Sequence, residues 1–128
     1  MRYSVVDYVD MRGRKLAYWD SVRPLFETYD LLLTPSLSVA AFTCGRINPE
    51  HWPQPPNKWD WMAWASFSYP FNFTGQPAAS APAGFTPTGL PVGLQIVGRR
   101  FADLTVLQAS AAFEEAKPWA QRRPPEPT

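Results

Sequence analysis

The side chains that could serve as nucleophile, general base or metal ligand are few in this sequence. His51 is the only histidine and Cys44 the only cysteine, and both fall in one proline-rich stretch. A Ser-His-Asp site would need His51 as its base, but no serine stands in a G-x-S-x-G turn. A metal site needs several His, Cys, Asp or Glu ligands, and no second His or Cys accompanies these two. We therefore predict no catalytic residue and no metal site, and we interpret His51 as a loop residue beside Trp52.

A lysine whose pKa is lowered by burial can also act as a base toward a serine. The lysines are Lys15, Lys58 and Lys117. None adjoins a Gly/Ser-rich segment whose backbone N–H groups could hold an oxyanion, and the glycine motifs that bind phosphate or dinucleotides are missing from the sequence. The sequence thus predicts no cofactor and no catalysis by this chain alone.

Tryptophan is concentrated in one short stretch, which holds Trp52, Trp59, Trp61 and Trp64. Packing in a core or an interface is one interpretation, because large aromatic side chains bury much apolar surface. An aromatic wall of a substrate cleft is the other. The residue pattern by itself leaves both interpretations open.

The elements that would position these residues alternate between helix and strand. Residues 4–29 carry an apolar stripe at three- and four-residue spacing, which predicts a helix with possible bends at Gly13 and Pro24. The apolar run at residues 31–34 predicts a strand buried on both faces, and residues 35–57 read as a long loop. A second helix is predicted over residues 58–68.

The second half of the sequence predicts a turn at residues 72–77, strands at 78–85 and 91–97, and a helix over 104–116. Gly89 fits the hairpin turn between the strands, and Asp103 fits the N-cap of the helix. The predicted class is α/β, with helices packed on a small mixed sheet and a C-terminal hairpin and helix. Residues 1–120 form the predicted domain portion, and residues 121–128 a proline-rich disordered tail.

Composition limits the classes of partner. The chain has 12 basic and 11 acidic residues in 128, a net charge of +1, which gives no electrostatic reason to expect nucleic acid or a membrane surface. No apolar run is long enough for a membrane span, and a single cysteine gives no sign of a disulfide scaffold. We expect a cytoplasmic protein.

Two linked motifs carry a resemblance to a known family. Residues 72–85 read N-F-T-G-Q-P-A-A-S-A-P-A-G-F, and residues 89–98 read G-L-P-V-G-L-Q-I-V-G. Upstream, residues 29–35, Y-D-L-L-L-T-P, are similar to a D-x-L-L-x-P strand. Together these segments resemble the late part of the amidase-signature enzymes, from about residue 5 to residue 119.

The resemblance implies a mixed sheet covered by helices and an activity on carboxylic amide C–N bonds. It also implies a catalytic unit of two serines and a lysine in a region upstream of the matched part, and none of the three has a counterpart here. Glutamine-using members carry an acidic residue seven positions before the asparagine that matches Asn72. That position is Ala65, which favours an amidase with an apolar pocket over a glutamine amidotransferase.

Trp61, Trp64 and Phe67 resemble the segment that lines the family's cleft, and we expect them to be substrate-binding residues. The leading hypothesis is a C-terminal fragment of an amidase-family hydrolase, inactive alone, which meets a small amide substrate only when combined with the missing N-terminal part. The alternative is a non-catalytic interaction or binding module derived from an amidase, which pairs with the catalytic half or with itself.

Overall fold

The computed structural model describes residues 3–52 and 60–123, save for the side chains of residues 60–62. In chain order the elements are α1 (Val5–Val22), α2 (Leu25–Thr28), β1 (Leu31–Pro35), a 3₁₀ helix (Asp60–Ala65), α3 (Tyr69–Thr74), β2 (Ala78–Phe85), β3 (Pro91–Gly98) and α4 (Asp103–Ala116). The predicted combination of helices with a small sheet, a C-terminal hairpin and a last helix is confirmed.

The three strands form one sheet in the order β1–β3–β2, and both pairings are antiparallel. The sheet within the described residues is therefore antiparallel, where the sequence predicted a mixed one. The tight turn between β2 and β3 reverses the chain, and β1 lies on the far side of β3. Because β1 and β2 both oppose β3, they run parallel to each other without pairing.

The two faces of the sheet are covered differently. On one face Ile96 is buried against Val106 of α4, with Ala81 beside them. On the other face Phe26 of α2 and Phe71 of α3 pack at one end of β3. Apolar burial of this kind is the main source of stability in a small domain, and here it centres on β3.

The first helix begins with a capping box. The Asp7 N–H donates to Ser4 Oγ over 3.2 Å, and the Ser4 N–H donates to Asp7 Oδ2 over 2.7 Å, so two backbone donors at the helix start are satisfied. Hydrogen bonds from the Ser4 backbone and then its side chain lower the pKa of Asp7. Pro24, which has no N–H for the helical ladder, separates α1 from α2. The predicted helix over residues 4–29 is thus two helices.

The strand β1 is an edge strand in the part of the chain that the structure describes. It pairs with β3 on one side, and Leu33 is 56% exposed. The prediction of a strand buried on both faces is therefore wrong for these residues. The reason is that α4 packs mainly on β2 and β3, which leaves the β1 end of that face open.

The ends of α3 and α4 differ from the predicted ones. Ala102, and not Asp103, is the N-cap of α4, which has no side-chain capping bond; Asp103 lies in the first helical turn. The predicted turn at residues 72–77 begins later, because α3 continues to Thr74 and ends at Gly75, whose φ of 69° is left-handed. Residues 53–59 and 124–128 lie outside the described residues, and with them Lys58, Trp59 and most of the predicted tail.

Candidate functional site

The aromatic residues predicted to bind substrate lie in and just after the 3₁₀ helix. Trp61 lies within that helix, and its side chain is outside the described set. Trp64 is half-buried: its Nε1 donates to the Ile47 carbonyl over 3.0 Å, and Phe42 meets its ring edge-on at 5.8 Å. Phe67 is half-buried as well. The structure thus brings Trp64 together with the loop after β1.

This aromatic segment is tied to that loop through its backbone. The N–H and Oγ of Ser38 donate to the Trp64 carbonyl over 3.1 and 2.8 Å. Ser68 Oγ donates to the Ser36 carbonyl over 2.8 Å. Three hydrogen bonds therefore fix the position of the Trp64 segment relative to the end of β1.

The central strand β3 holds the aromatic segment through a further hydrogen bond. Gln95 is buried in β3, and its Nε2 donates both to Thr34 Oγ1 over 2.8 Å and to the Phe67 carbonyl over 2.7 Å. A buried amide needs such partners, because leaving its N–H groups unpaired is costly. Gln95 joins β1, β3 and the aromatic segment in one network.

Two hydroxyl groups meet across the same face of the sheet. Ser36, just after β1, and Ser80, in β2, lie on opposite sides of Gly93 in β3, and their Oγ atoms are 2.6 Å apart. A Cβ on Gly93 would lie 2.6 Å from Ser36 Oγ and 2.7 Å from Ser80 Oγ. Only glycine at the central position therefore allows the two hydroxyls to meet.

These hydroxyls lie in a groove of about 530 Å³. It is bounded by the loop after β1 and by the hairpin strands, and its lining residues are Ser36, Leu37, Ser38, Val39, Ala40, Ala41, Ser80, Pro82, Pro91, Val92 and Gly93. None of these residues carries a charge. The groove thus combines apolar walls with three serine hydroxyls, of which that of Ser38 already donates to the Trp64 carbonyl, and this lining suits an uncharged ligand.

Sequence reasoning missed the hydroxyl pair, although one signal was present. Gly93 lies inside β3, and a glycine inside a strand often marks a close approach of another group. The partners could not be identified from the sequence, because Ser36 and Ser80 are 44 residues apart. Trp64 and Phe67, which were predicted, do not belong to the groove lining, although the Trp64 carbonyl accepts hydrogen bonds from Ser38 of that lining.

Residues with catalytic or metal-binding chemistry are not assembled in the part of the chain that the structure describes. His51 is exposed, with its ring edge-on to Trp52 at 6.4 Å, as the loop interpretation predicted. Cys44 is exposed and free. No three His, Cys, Asp or Glu side chains among the described residues come together as a metal site. Lys117 donates to the Ala83 carbonyl, outside the groove.

Glu50, in the loop after β1, has a lowered carboxyl pKa. Hydrogen bonds from the Thr43 side chain, from the Glu50 backbone and from the Thr43 backbone, with a smaller effect of the nearby Arg46 charge, lower the pKa of Glu50 to about 2. The Thr43 N–H donates to Glu50 Oε1 over 3.1 Å. This contact closes the loop on itself, and Glu50 does not face the groove.

The two arginines after β3 have structural partners. Arg100 donates to the Thr74 carbonyl, and its guanidinium lies 3.9 Å from the centre of the Trp19 ring. Arg99 donates to the Phe26 carbonyl. Both side chains therefore connect the helices to the end of β3.

The fold and the linked motifs define the class of protein. The family described as Amidase matches residues 1–107, and the chain belongs to this family. The antiparallel hairpin with its two glycine-containing motifs and the strand β1 lie within the matched residues.

Particular relatives come from both curated sequences and solved structures. The acylamidase of Rhodococcus erythropolis is 38% identical over 106 residues, 83% of this chain and 22% of that protein. A glutamyl-tRNA(Gln) amidotransferase subunit from Moorella thermoacetica is 43% identical over 99 residues, 77% of this chain and 19% of that protein. The crystal structure of a bacterial aryl acylamidase of the amidase-signature family superposes on 92% of this chain and 24% of its own, with a TM-score of 0.72 and 37% identity.

The chain spans about a fifth to a quarter of the length of the curated relatives it matches. Among the helices within residues 3–52 and 60–123, none has the length and hydropathy of a membrane span.

Proposed function

We propose that this chain is the C-terminal portion of an amidase-signature hydrolase that cleaves carboxylic amide C–N bonds, and that it acts only together with a catalytic portion. The sequence has no counterpart of the family's two serines and lysine, so hydrolysis requires that another polypeptide segment supply them. The contribution of this chain is one wall of the cleft and the structural layer behind it.

The observation that carries the proposal is the exposed apolar surface of α1. None of its side chains is buried, and Val5, Val9 and Leu16 are 78%, 61% and 60% exposed. At 100° per residue these three lie on one side of the helix. Soluble proteins seldom leave such a stripe uncovered, so we expect another part of the amidase domain to pack on it.

The edge of the sheet supports the same conclusion. The outer side of β1 has no strand partner among the described residues, and an open edge with an apolar side chain such as Leu33 invites pairing. The shared segment is 22% of one relative and 19% of the other, so the relatives have polypeptide available to cover both surfaces. The partner we propose for α1 and β1 is therefore the catalytic portion.

The proposed substrate is a small amide with an apolar substituent and not glutamine. Ala65 stands where glutamine-using members carry an acidic residue, and no charged residue lines the nearby groove. Trp64 and Phe67 lie outside the groove lining, and we propose that they add aromatic surface to the cleft beside it. We propose the cytoplasm as the site of this activity.

Complementation tests the proposal. The Rhodococcus erythropolis acylamidase is produced without its matching segment, and this chain or, as the positive control, the enzyme's own segment is added. Hydrolysis of aliphatic and aromatic amides is then measured. We expect turnover from the mixture and none from either part alone. Failure of this chain where the native segment restores turnover contradicts the proposed function. Turnover by this chain alone, abolished by a serine-directed inhibitor, contradicts its dependence on a partner.

A second function rests on the same exposed surfaces. The stripe of α1 and the open β1 edge are also suited to a non-catalytic module that pairs with itself. Light scattering coupled to size-exclusion chromatography separates the two: a stable dimer that does not dissociate when the catalytic portion is added favours the module, and a monomer that forms a complex with that portion favours the hydrolase.

A further inference from the structure

We propose that the Ser36–Ser80 hydroxyl pair, together with Gly93, forms the polar floor of a subsite that binds the uncharged carboxamide group of a ligand with an apolar body. The proposal is based on the groove that contains this pair, whose lining carries no charge. The inference deepens the proposed function and rests on it for the choice of an amide as ligand.

The hydrogen-bonding capacity of the pair is only partly used. Two hydroxyls together offer two donors and four acceptor positions, and the bond between Ser36 and Ser80 uses one of each. Within the described residues no other group hydrogen-bonds to either Oγ atom. One O–H donor and several lone pairs therefore point to the groove or to solvent, and they match a carboxamide, which presents one carbonyl acceptor and N–H donors.

Gly93 makes this floor possible and leaves it accessible. It has no side chain to separate the hydroxyls, and its own carbonyl already accepts from the Ser36 N–H over 2.9 Å, so the position of Ser36 is fixed by the backbone. Ser80 is held by its register opposite Gln95. Ser80 is thus held by strand pairing and Ser36, the first residue after β1, by its backbone hydrogen bond to β3, and this pre-organisation lowers the entropic cost of binding.

The walls select against charge. Val39, Pro82, Pro91 and Val92 surround the hydroxyls, and the proline residues offer no N–H to an anion. No lining side chain carries a charge that could neutralise a carboxylate or an ammonium group, so a charged ligand would exchange its hydration for hydroxyl hydrogen bonds alone. The groove should therefore distinguish an amide from the acid or amine of the same size.

Three ligands of matched size test this subsite on the whole chain: butyramide, butyrate and butylammonium. Binding is followed by the backbone amide signals of Ser36, Ser80 and Gly93 in ¹⁵N-labelled protein. We expect butyramide to shift these signals in a saturable way and the two ions to leave them in place. Equal shifts by all three ligands, or none by butyramide, overturn the proposal.

Variants separate binding from a purely structural role of the hydroxyls. Ser80→Ala should weaken butyramide binding about fivefold, the factor that one ordinary net hydrogen bond supplies. Gly93→Ala should abolish it, because the new Cβ occupies the space between the hydroxyls. Thr88→Ala is the matched control: Thr88 shares a hydroxyl pair of 2.8 Å with Thr86 in the same hairpin, outside the groove. Equal affinities of Ser80→Ala and Thr88→Ala overturn the proposal even where Gly93→Ala fails to fold.

The outcome is independent of the complementation experiment. Restored turnover without selective butyramide binding contradicts the subsite alone. Selective binding without restored turnover contradicts the hydrolase function and leaves the subsite in place.

Discussion

The two long helices of this chain have very different surroundings. The helix α4 has 14 residues and lies on the sheet, where Val106 is buried against β3. The helix α1 has 18 residues and no buried side chain, and its main contact is with α3. Apolar residues are present in both helices, so composition does not explain the difference. The sheet of this chain covers the apolar face of α4, whereas the apolar stripe of α1 is covered by nothing among the described residues.

This difference divides the chain into two levels of local stability. The hairpin and α4 share a common core, so they should open together and only with global unfolding. The helix α1 is held by its cap and by contacts at its C-terminal end, so its first turns should open at much lower cost. Substitutions in the two regions test this division, beginning with the largest expected effect.

The largest expected loss of stability comes from the core under α4. Ile96→Ala removes a side chain that is 2% exposed and should lower the free energy of unfolding by about 2–5 kcal/mol, because it leaves a cavity. Leu16→Ala on α1 is the matched control and should change it by less than about 0.5 kcal/mol. Urea denaturation measures both. Comparable losses of unfolding free energy at the two positions would contradict a difference in local stability between the two helices.

The next effect concerns the hydrogen-bond network of Gln95, which joins β1, β3 and the aromatic segment. Gln95→Leu removes the donor shared by Thr34 Oγ1 and the Phe67 carbonyl, and we expect a loss of about 1–3 kcal/mol, because those acceptors lose their buried partner. Gln108→Leu on the exposed side of α4 is the control. The same urea titration applies, and an unchanged midpoint for Gln95→Leu would show that the buried amide contributes nothing net.

A smaller and local effect is expected at the start of α1. Ser4→Ala removes the capping hydroxyl and should destabilise the first turn by about 1 kcal/mol. Because α1 has no buried side chain, faster hydrogen exchange should be confined to the amides near Asp7, with the global unfolding midpoint unchanged. Ser21→Ala, near the other end of the helix, serves as the control. Faster exchange in α4 as well would indicate that α1 is coupled to the core.

The smallest effect is a pH dependence of the same turn. The folded pKa of Asp7 is lowered from 3.8, so its contribution to α1 is fully present above that value and is lost as the pH falls through the folded pKa. Helical amide protection near Ser4 should decrease over this acidic range, and Asp7→Asn should abolish the dependence. Protection that rises on acidification would contradict the sign of the effect.

The sequence predicts best where the signals are local. The strands of the hairpin and the body of α4 follow from alternation, a turn glycine and helical spacing within a few residues, and they lie close to the predicted positions. The environment of β1 could not be obtained in this way. Its apolar run is typical of a fully buried strand, but burial depends on which elements cover it, and α4 covers mainly its neighbours.

The candidate site shows the same limit. Trp64 and Phe67 were identified because aromatic residues stand out in a sequence, whereas Ser36 and Ser80 are small, common residues that gain significance only from their position on either side of Gly93. The Ala65 departure from the glutamine-using pattern remains a prediction about the substrate. The absence of catalytic residues from this chain stays a prediction.

The placement of β1 at the edge of the sheet has a consequence for folding during synthesis. Thr34 of β1 and its partner Gln95 are 61 residues apart, and the ribosome adds about 5–20 residues per second. About 3–12 s therefore pass between the synthesis of β1 and that of its pairing strand β3. The hairpin, by contrast, can close as soon as it leaves the ribosome. We expect the hairpin to fold first and β1 to join it last, so a chaperone that binds the nascent chain should contact residues near Leu32.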